Sequence, residues 1–538
     1  MNTDRLVQLN RLIVSHGFLI AFILALLVRL CALSTQQVIV TDGIRHIGQA
    51  RLVSDGQWSL AFGALDFNLY PVLIAAVHGL LGPAFGVSFE SCGLFLNFVC
   101  GMMLLFPLFA LARHYFGKVP AFAAGVYLAL LPSLVTISTT VLREGPFLCA
   151  IAWAVYLFMM AIQDLHPGEW LLERLVLAGM LLFLAATIRT EALGLLACMG
   201  FTLLIAHAGA TRWYSFKRRF SAGFALVILA LLLAVPVLGY ASYRSGKLQF
   251  LKLDKLAKPY VLGSRPTRAA DPIAVSKVDM FDASGNLIPD EVVRVNWIKM
   301  AKRNQGMIYA GELLSAFAES FGYAGIALAG VGIWLLGMRR VIRMTDPLVP
   351  YFVSTSLLLG AVFVRYVKVQ YYLSDRHMLA LTLPMAIFVA VPFAYVAIVQ
   401  ERIRQMVAVV LAGVVVYFAA TDVWPENRHF VPFRRCGEAL ASSLPADATL
   451  AGPNLIALYY ADRPYALFYP TLTNLPAECT GSNSYLVVDL ENANQSNYVA
   501  RVASRVERVP ACLPKTTGHD FALFKPVGSA KPADDSRR

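Results

Sequence analysis

The chain has 538 residues, of which 58% are hydrophobic and only 15% charged, and it carries a formal charge of +13 at pH 7. Soluble domains sit near about 45–50% apolar and about 25% charged, so a water-soluble globular fold is excluded. The positive charge does not indicate a nucleic-acid partner: the basic residues lie mainly in short turns between apolar segments, as topology signals and headgroup contacts, and no basic helix or aromatic-basic strand pattern occurs.

Crossing the hydrocarbon core takes roughly 20 mostly apolar residues as a helix. The first apolar stretch, Ile13 to Leu33, is longer than a secretory h-region and lacks a small-residue cleavage site, so it reads as an uncleaved signal anchor. Further spans are predicted near 89–112, 119–139, 145–163, 174–189, 191–207, 220–241, 322–338, 348–364, 379–399 and 405–421. Together they make a membrane all-α bundle of about eleven helices. Arg113 with Lys118, Arg212 with Lys217, Arg218 and Arg219, Arg339, Arg340 and Arg343, and Arg402 with Arg404 fall on the same side as the N-terminus. The positive-inside rule makes that side cytoplasmic, and an odd count puts the C-terminus outside. Polar stretches at about 34–88 and 242–321 are then outer loops. Within the first, the run Tyr70 to Leu81 is too short to span and reads as a juxtamembrane helix. The second is read as a loop that could cover a cavity as a lid, with Asp271 to Pro289 at its centre.

After the transmembrane part, 1–421, residues 422–526 read as a small extracytoplasmic α/β domain. Phe433 to Leu444 is amphipathic and stopped by Pro445. Thr449 to Gly452 is a strand, followed by a helix to Tyr460. Ser484 to Leu490 is a continuous apolar strand of the buried kind. Asn497 to Val509 has a helical period, and Phe521 to Lys525 closes the sheet. Residues 527–538 hold too few apolar side chains to pack and read as a disordered tail. Cys31, Cys92, Cys100, Cys149 and Cys198 lie in or beside apolar segments and read as buried packing residues. Cys436, Cys479 and Cys512 are in the polar region, where outside the cytoplasm one pair could form a disulfide; Cys479 with Cys512 is the pairing expected.

Ionisable groups at the ends of spanning helices are costly to desolvate and mark functional sites. Asp42, in TDGIRHIGQARLVSDG, starts a surface helix after the first span. Glu144, in STTVLREGPFL, lies where the third span exits and the fourth begins. Both emerge on the outer face under this topology. Each alone has a plain structural reading, Asp42 as a helix cap and Glu144 as a residue snorkelling from a tight turn. Arg143, Arg189, Arg365, Lys368, Arg376 and His377 are also outward, where lipid is less anionic. Guanidinium pairs bidentately with phosphate, which suits a phosphate at headgroup level; ordinary pairing of Arg376 with Asp375, or of Arg189 with Glu191, is the alternative. Asp42 and His46 are four apart and share a helix face, so they could ligate a divalent cation, the one cofactor the sequence leaves open; a plain surface helix is the default. Walker A, GxGxxG, HExxH and CxxC motifs are lacking, as is a Gly-rich phosphate loop in the C-terminal sheet.

The order of these motifs resembles the GT-C membrane glycosyltransferases, in the branch of the dolichyl-phosphate-mannose protein mannosyltransferases and the bacterial aminoarabinose lipid A transferases. An acid early in the first outer loop, then DGQW, then Tyr70–Pro71 opening YPVLIAAVHGLLG, is similar to the start of that group. LREGPF at 142–147 resembles its second acidic loop, SDRHMLALTLP at 374–384 its late Arg-aromatic-Pro motif, and SSLPADATLAG…YYADRP at 442–464 the start of its C-terminal domain. The resemblance implies inverting sugar transfer from a polyprenyl-phosphate donor to an extracytoplasmic acceptor (protein, lipid A or polysaccharide) in a membrane of the bacterial inner-membrane type. Asp42 then matches the general base, Glu144 the second acidic position, and Arg376 the cation facing the departing phosphate. Tyr70, Arg143, Arg189, Lys368, Tyr372 and His377 complete the substrate-binding set. Asp42 is followed by Gly43 where many relatives have Glu, and His377 stands where Tyr is usual. The rival reading is a transporter or flippase of a lipid-linked saccharide, which would show internal repeats and midplane polar residues. A third is a subunit without catalytic function.

Overall fold

The computed structural model describes residues 3–62, 67–163, 170–205, 239–240, 243–244, 305–339, 348–370, 375–389, 391–392, 430–467, 483–510, 513, 515–516 and 519–526. The chain divides into two compact units, Met1–Leu33 with Gln49–Val423, and Ser34–Gly48 with Trp424–Arg538.

The first unit is helical. From Phe18 to Val28 helix α1 (Thr3–Thr35) is apolar all round: Ala21, Ala25 and Val28 are buried, while Leu19, Ile23 and Leu27 stand exposed on the other side. A helix of that kind belongs in lipid or in a core. Its small residues admit a close neighbour, since a Cβ at Gly125 would lie 3.1 Å from Ala21 Cβ. Then come α2 (Thr41–Ser54), α3 (Trp58–Phe62), α4 (Leu69–Phe85), α5 (Phe89–Met103) and α6 (Leu105–Phe116). Helix α4 starts at Asn68, whose side chain accepts from the Tyr70 amide at 2.9 Å, and ends at Gly86 with φ 64°. Those are the N-cap and left-handed C-cap that end groups of a helix need.

Helices α7 (Lys118–Leu130) and α8 (Pro132–Thr139) meet at a 54° bend. Pro132 has no amide proton to continue the ladder, so carbonyls of the preceding turn need other donors. Arg29 of α1 supplies one: it is fully buried, and its Nη1 donates to Ala129 O at 3.0 Å while its Nε donates to Ser138 Oγ at 3.1 Å. Next are α9 (Glu144–Gln163), α10 (Trp170–Ile188), α11 (Glu191–Ile205), α12 (Gln305–Phe321), α13 (Tyr323–Arg339), α14 (Leu348–Gln370) and α15 (Asp375–Met385). The carbonyls ending α12 are met from α7 and α8: Ser133 Oγ donates to Ser320 O at 2.7 Å, and Tyr127 OH donates to Phe321 O. Gly322, at φ 71°, then turns the chain into α13.

Among the described residues, three helices are long and apolar enough to cross a membrane, Ser15–Thr35, Phe89–Phe116 and Glu144–Ile162, and two bent pairs raise the number to five. The predicted span at 220–241 lies outside the described residues apart from Gly239 and Tyr240, and the span at 405–421 and the lid segment Asp271 to Pro289 lie wholly outside them. Gln305–Phe321 is a correction: it is a helix where the sequence read as loop. Glu312 and Glu319 interrupt an otherwise apolar run and lower its apparent hydropathy. Cys31 is a second correction, being exposed; Cys92 and Cys198 are buried, Cys100 and Cys149 partly so.

The second unit holds a six-stranded sheet. Its elements are α16 (Val431–Ser443), β1 (Thr449–Gly452), α17 (Leu455–Tyr460), β2 (Tyr465–Leu467), β3 (Ser484–Asp489), α18 (Ala493–Val502), β4 (Val506–Val509), β5 (Lys515–Thr516) and β6 (His519–Pro526). The order is β2-β1-β3-β6-β4, with β5 beside β6; β1 pairs parallel with β2 and β3, and β6 antiparallel with β3, β4 and β5. Both faces of β3 are covered. Leu486 and Val488 pack with Tyr498 and Val502 of α18, and Val487 packs with Cys436, Leu440 and Leu458 of α16 and α17. Residues from the Ser34–Gly48 segment join this unit: Ile39 N donates to Tyr460 OH at 3.2 Å and Arg434 donates to Gln37 O. Asn497 to Val509 is corrected from one helix to the end of α18, a short 3-10 turn and strand β4. Pairing with β6 overrides the helical period there. Cys479, Cys512 and the tail 527–538 lie outside the described residues.

Candidate active site around Glu144

Glu144 opens α9 directly after the turn that follows α8, and Arg189 sits in the two-residue turn between α10 and α11. Packing of α9 against α10 brings them together. Arg189 Nη1 donates to Glu144 Oε1 at 2.6 Å, while its Nη2 and Nε donate to Glu191 Oε1 at 2.6 and 3.2 Å. The guanidinium also lies over the Phe147 ring, 5.5 Å from its centroid. Arg143 Nε is 3.9 Å from Glu144 Oε1, and Arg376, in the first turn of α15, acts on the same carboxylate electrostatically. Three guanidinium groups thus surround one buried acid.

Glu144 uses its two oxygens differently. Oε1 takes the Arg189 hydrogen bond, whereas Oε2 is buried and has no hydrogen-bond partner in another described residue. A buried acceptor left in that state is rare in a native fold and calls for an explanation. Tyr70, fully buried in the first turn of α4, senses the Glu144 charge and lies against the carboxamide of Asn97. Asn97, on α5, donates through Nδ2 to Thr140 O at 2.5 Å and to Leu142 O at 2.6 Å.

Of the residues singled out from the sequence, Tyr70, Arg143, Glu144, Arg189 and Arg376 gather in this one region. Pairing of Arg189 with Glu191 is present, and it coexists with the bond to Glu144. Asp42, exposed in the first turn of α2, and half-buried His46, one turn on, belong to the other unit. Lys368 lies on α14 and His377 on α15, and Tyr372 is outside the described residues. Among the described residues no three His, Cys, Asp or Glu side chains gather as a metal site. The sequence reading missed Asn97, Phe147 and the role of Glu191. Asn97 carried a signal in retrospect, as a carboxamide in the middle of the apolar run FESCGLFLNFVCGMM.

In sequence and in fold the chain resembles the GT-C glycosyltransferases of the PMT and ArnT group, and its apolar helices are those of an integral multi-pass membrane protein. A family model described as dolichyl-phosphate-mannose-protein mannosyltransferase matches residues 70–240. The apo crystal structure of ArnT from Cupriavidus metallidurans is similar with a TM-score of 0.56 at 12% identity, over 95% of this chain and 98% of that one. Its complex with undecaprenyl phosphate gives 0.53 at 14% identity over the same shares. The Archaeoglobus fulgidus oligosaccharyltransferase tethered to an acceptor peptide gives 0.51 at 10% identity, over 95% of this chain and 74% of that one. Comparison with curated proteins by sequence finds no match.

Proposed function

We propose that this protein is a membrane glycosyltransferase that moves a sugar, with inversion, from a polyprenyl-phosphate carrier to an extracytoplasmic acceptor. The observation that carries the reading is Glu144: one carboxylate oxygen is held by Arg189, and the other is buried with no hydrogen-bond partner in another described residue, within a cluster of arginines. Such an acid suits a hydroxyl donor from a ligand, and the neighbouring Arg143 and Arg376 suit a phosphate. The sequence match that starts at Tyr70 and the ArnT-like fold support the same class.

In this reading the acceptor hydroxyl oxygen attacks the anomeric carbon and its proton passes to Asp42, the general base. The bond from that carbon to the phosphate oxygen breaks, and polyprenyl phosphate leaves with its charge facing Arg376. Glu144 orients the acceptor through Oε2. Tyr70, Lys368, Tyr372 and His377 are assigned to substrate binding. Three guanidinium groups around Glu144 disfavour a divalent cation there. The proposed topology has about eleven spans, an N-terminus inside a bacterial inner membrane, a catalytic domain over 1–421 and the α/β domain of 422–526 outside.

The test uses the full chain in detergent with undecaprenyl-phosphate mannose and undecaprenyl-phosphate aminoarabinose in parallel, and follows release of undecaprenyl phosphate. Asp42→Asn should lower turnover by about 100-fold or more, the usual scale of a lost general base. Turnover unchanged by Asp42→Asn removes that residue from the mechanism. A second reading, flipping of a lipid-linked saccharide, draws on the 54° break between α7 and α8, because broken helices mark transporter sites. Movement of labelled lipid across liposomes without any sugar transfer would favour it.

A further inference from the structure

We infer that Asn97 is a positioning residue for this site: its carboxamide holds the turn between α8 and α9 and thereby fixes where the Glu144 carboxylate opens. The inference rests on the reading of Glu144 as a ligand-facing acid, but the hold on the turn can be tested without it.

The need arises from backbone accounting. The turn over residues 140–143 joins two helices inside the unit, with Thr140, Leu142 and Glu144 all buried. Backbone groups buried there must find donors within the protein. Side chains of the turn serve the end of α8: Thr140 Oγ1 donates to Thr136 O at 2.7 Å and Thr139 Oγ1 to Val135 O at 3.0 Å. Thr140 O accepts from Asn97 Nδ2 at 2.5 Å, and Leu142 O, which also takes the Gly145 amide at 3.4 Å, accepts from Nδ2 at 2.6 Å; the same nitrogen lies 3.3 Å from Ile137 O. A primary amide carries two N–H donors on one nitrogen and an acceptor beside it. Among side chains of this size only Asn can serve two carbonyls at once. The same contacts fix which end of the amide is nitrogen, since a flip would set oxygen against three carbonyls.

The other side of Asn97 is equally constrained. A Cβ added at Gly145 would lie 3.1 Å from Asn97 Cγ and Oδ1, so the first turn of α9 rests on the carboxamide and a methyl there would press on it. Oδ1 is buried without a hydrogen-bond partner among the described residues, and the carboxamide as a whole interacts with Tyr70. One side chain on α5 therefore touches α4, the turn and the start of α9. Glu144 is the first residue after that turn, so a shift of the turn moves its carboxylate relative to Arg189 and Tyr70.

The discriminating variant is Asn97→Asp. Its carboxylate has no donor and faces two carbonyls, whereas the protonated acid regains one O–H donor. Burial against carbonyls favours the protonated form and raises that acid above its usual range. Hydrogen–deuterium exchange of amides 140–147 in the full-length protein reads the turn directly. Expressed as a ratio to wild type at the same pH, Asn97→Leu should exchange about tenfold faster at both pH 8 and pH 5.5. Asn97→Asp should match Asn97→Leu at pH 8 and return toward wild type at pH 5.5. Turnover should follow the same two-point pattern, with kcat lost and regained while KM for the lipid donor stays within about twofold. Wild-type exchange in 140–147 for both variants overturns the hold on the turn. Fast exchange with unchanged turnover overturns the positioning role. Should Asn97→Leu fail to fold, Gly145→Ala, which presses on the carboxamide from α9, must give the same faster exchange, and its absence counts against the inference. If no preparation turns over either lipid donor, the functional reading fails while the exchange arms still decide the turn.

Discussion

Arg189 and Glu144 form a buried ion pair 2.6 Å apart, with 3% and 7% of their side chains exposed, although 45 residues separate them in sequence. Two helices, α9 and α10, have to leave and return for the pair to meet. Taking two charges out of water is expensive, and the mutual attraction offsets it only in good geometry with the remaining donors satisfied. Here Glu191 accepts the other face of the guanidinium. Losing one partner strands the other, so Arg189→Met should destabilise the protein by about 3–5 kcal/mol. Adding Glu144→Gln should restore a good part of that, because the stranded charge is gone. Denaturant unfolding of the three variants in detergent checks this, and strictly additive losses would show that the two side chains do not act as a pair.

The break between α7 and α8 depends on Arg29. Its guanidinium, carried on the C-terminal third of the largely apolar helix α1, serves Ala129 O and Ser138 Oγ beside Pro132. An ionisable side chain within such a helix persists only with partners. Arg29→Leu removes the charge and fits the apolar surroundings, but leaves the Ala129 carbonyl without that donor. The loss expected is about 1–3 kcal/mol, the cost of an unsatisfied buried group. Pro132→Ala returns an amide to the turn and should make the Arg29→Leu change milder. Midpoints of thermal inactivation for the single and double variants measure the coupling.

Much of this architecture was legible in the residues, for reasons that differ by element. The spans around Ile13–Leu33 and 145–163 are long and apolar, and length alone identifies them. Thr449–Gly452 and the strand opening at Ser484 are bounded by Pro, Gly and Asn, which leave little freedom in their ends. Helix α12 was hidden because Glu312 and Glu319 break its hydropathy, and β4 because four residues with a helical period pair with β6 instead. Part of the site was visible as well: Glu144, Arg143 and Arg189 lie beside predicted span ends, where charge is conspicuous. Asn97 was not, because a lone amide inside an apolar helix looks the same whether it packs idly or holds a turn 40 residues away. Only the fold supplies Thr140 O and Leu142 O as its partners.

In the C-terminal unit Asp489 ties three segments at the end of the inner strand β3. Oδ1 accepts from the amides of Glu491 and Asp520 at 3.2 and 3.1 Å, and Oδ2 lies 2.7 Å from His519 Nδ1. An Asn there keeps one oxygen for the two amides but loses the negative charge that strengthens those bonds. Asp489→Asn should cost about 1–3 kcal/mol, and should expose the ends of β3 and β6 to protease. His519→Ala should cost less, because His519 is about a quarter exposed and water replaces its bond. Proteolysis of the full-length variants, with cleavage mapped by mass spectrometry, ranks the two; equal rates would deny Asp489 this tie.

Cys436 makes the last prediction, one of pH. It is fully buried between α16, α17 and the sheet, and burial first, then the charge of Asp489, pushes its thiol up to about 12. An unfolded cysteine titrates near about 8.5. Between those values the unfolded chain has released a proton that the folded chain still holds. Stability from this group is therefore full below the unfolded value and falls as pH rises toward the folded one, with a slope of about 1.4 kcal/mol per pH unit. Other groups titrate in the same range, so the difference between wild type and Cys436→Ser isolates the thiol. Unfolding free energies at pH 8, 9.5 and 10.5 should converge for the two proteins as pH rises. In the same preparations N-ethylmaleimide should leave Cys436 unmodified at pH 8 until denaturant is added, since the thiolate it attacks is then scarce and enclosed. Parallel stability curves together with rapid native labelling would show that this thiol is accessible and titrates like an exposed one.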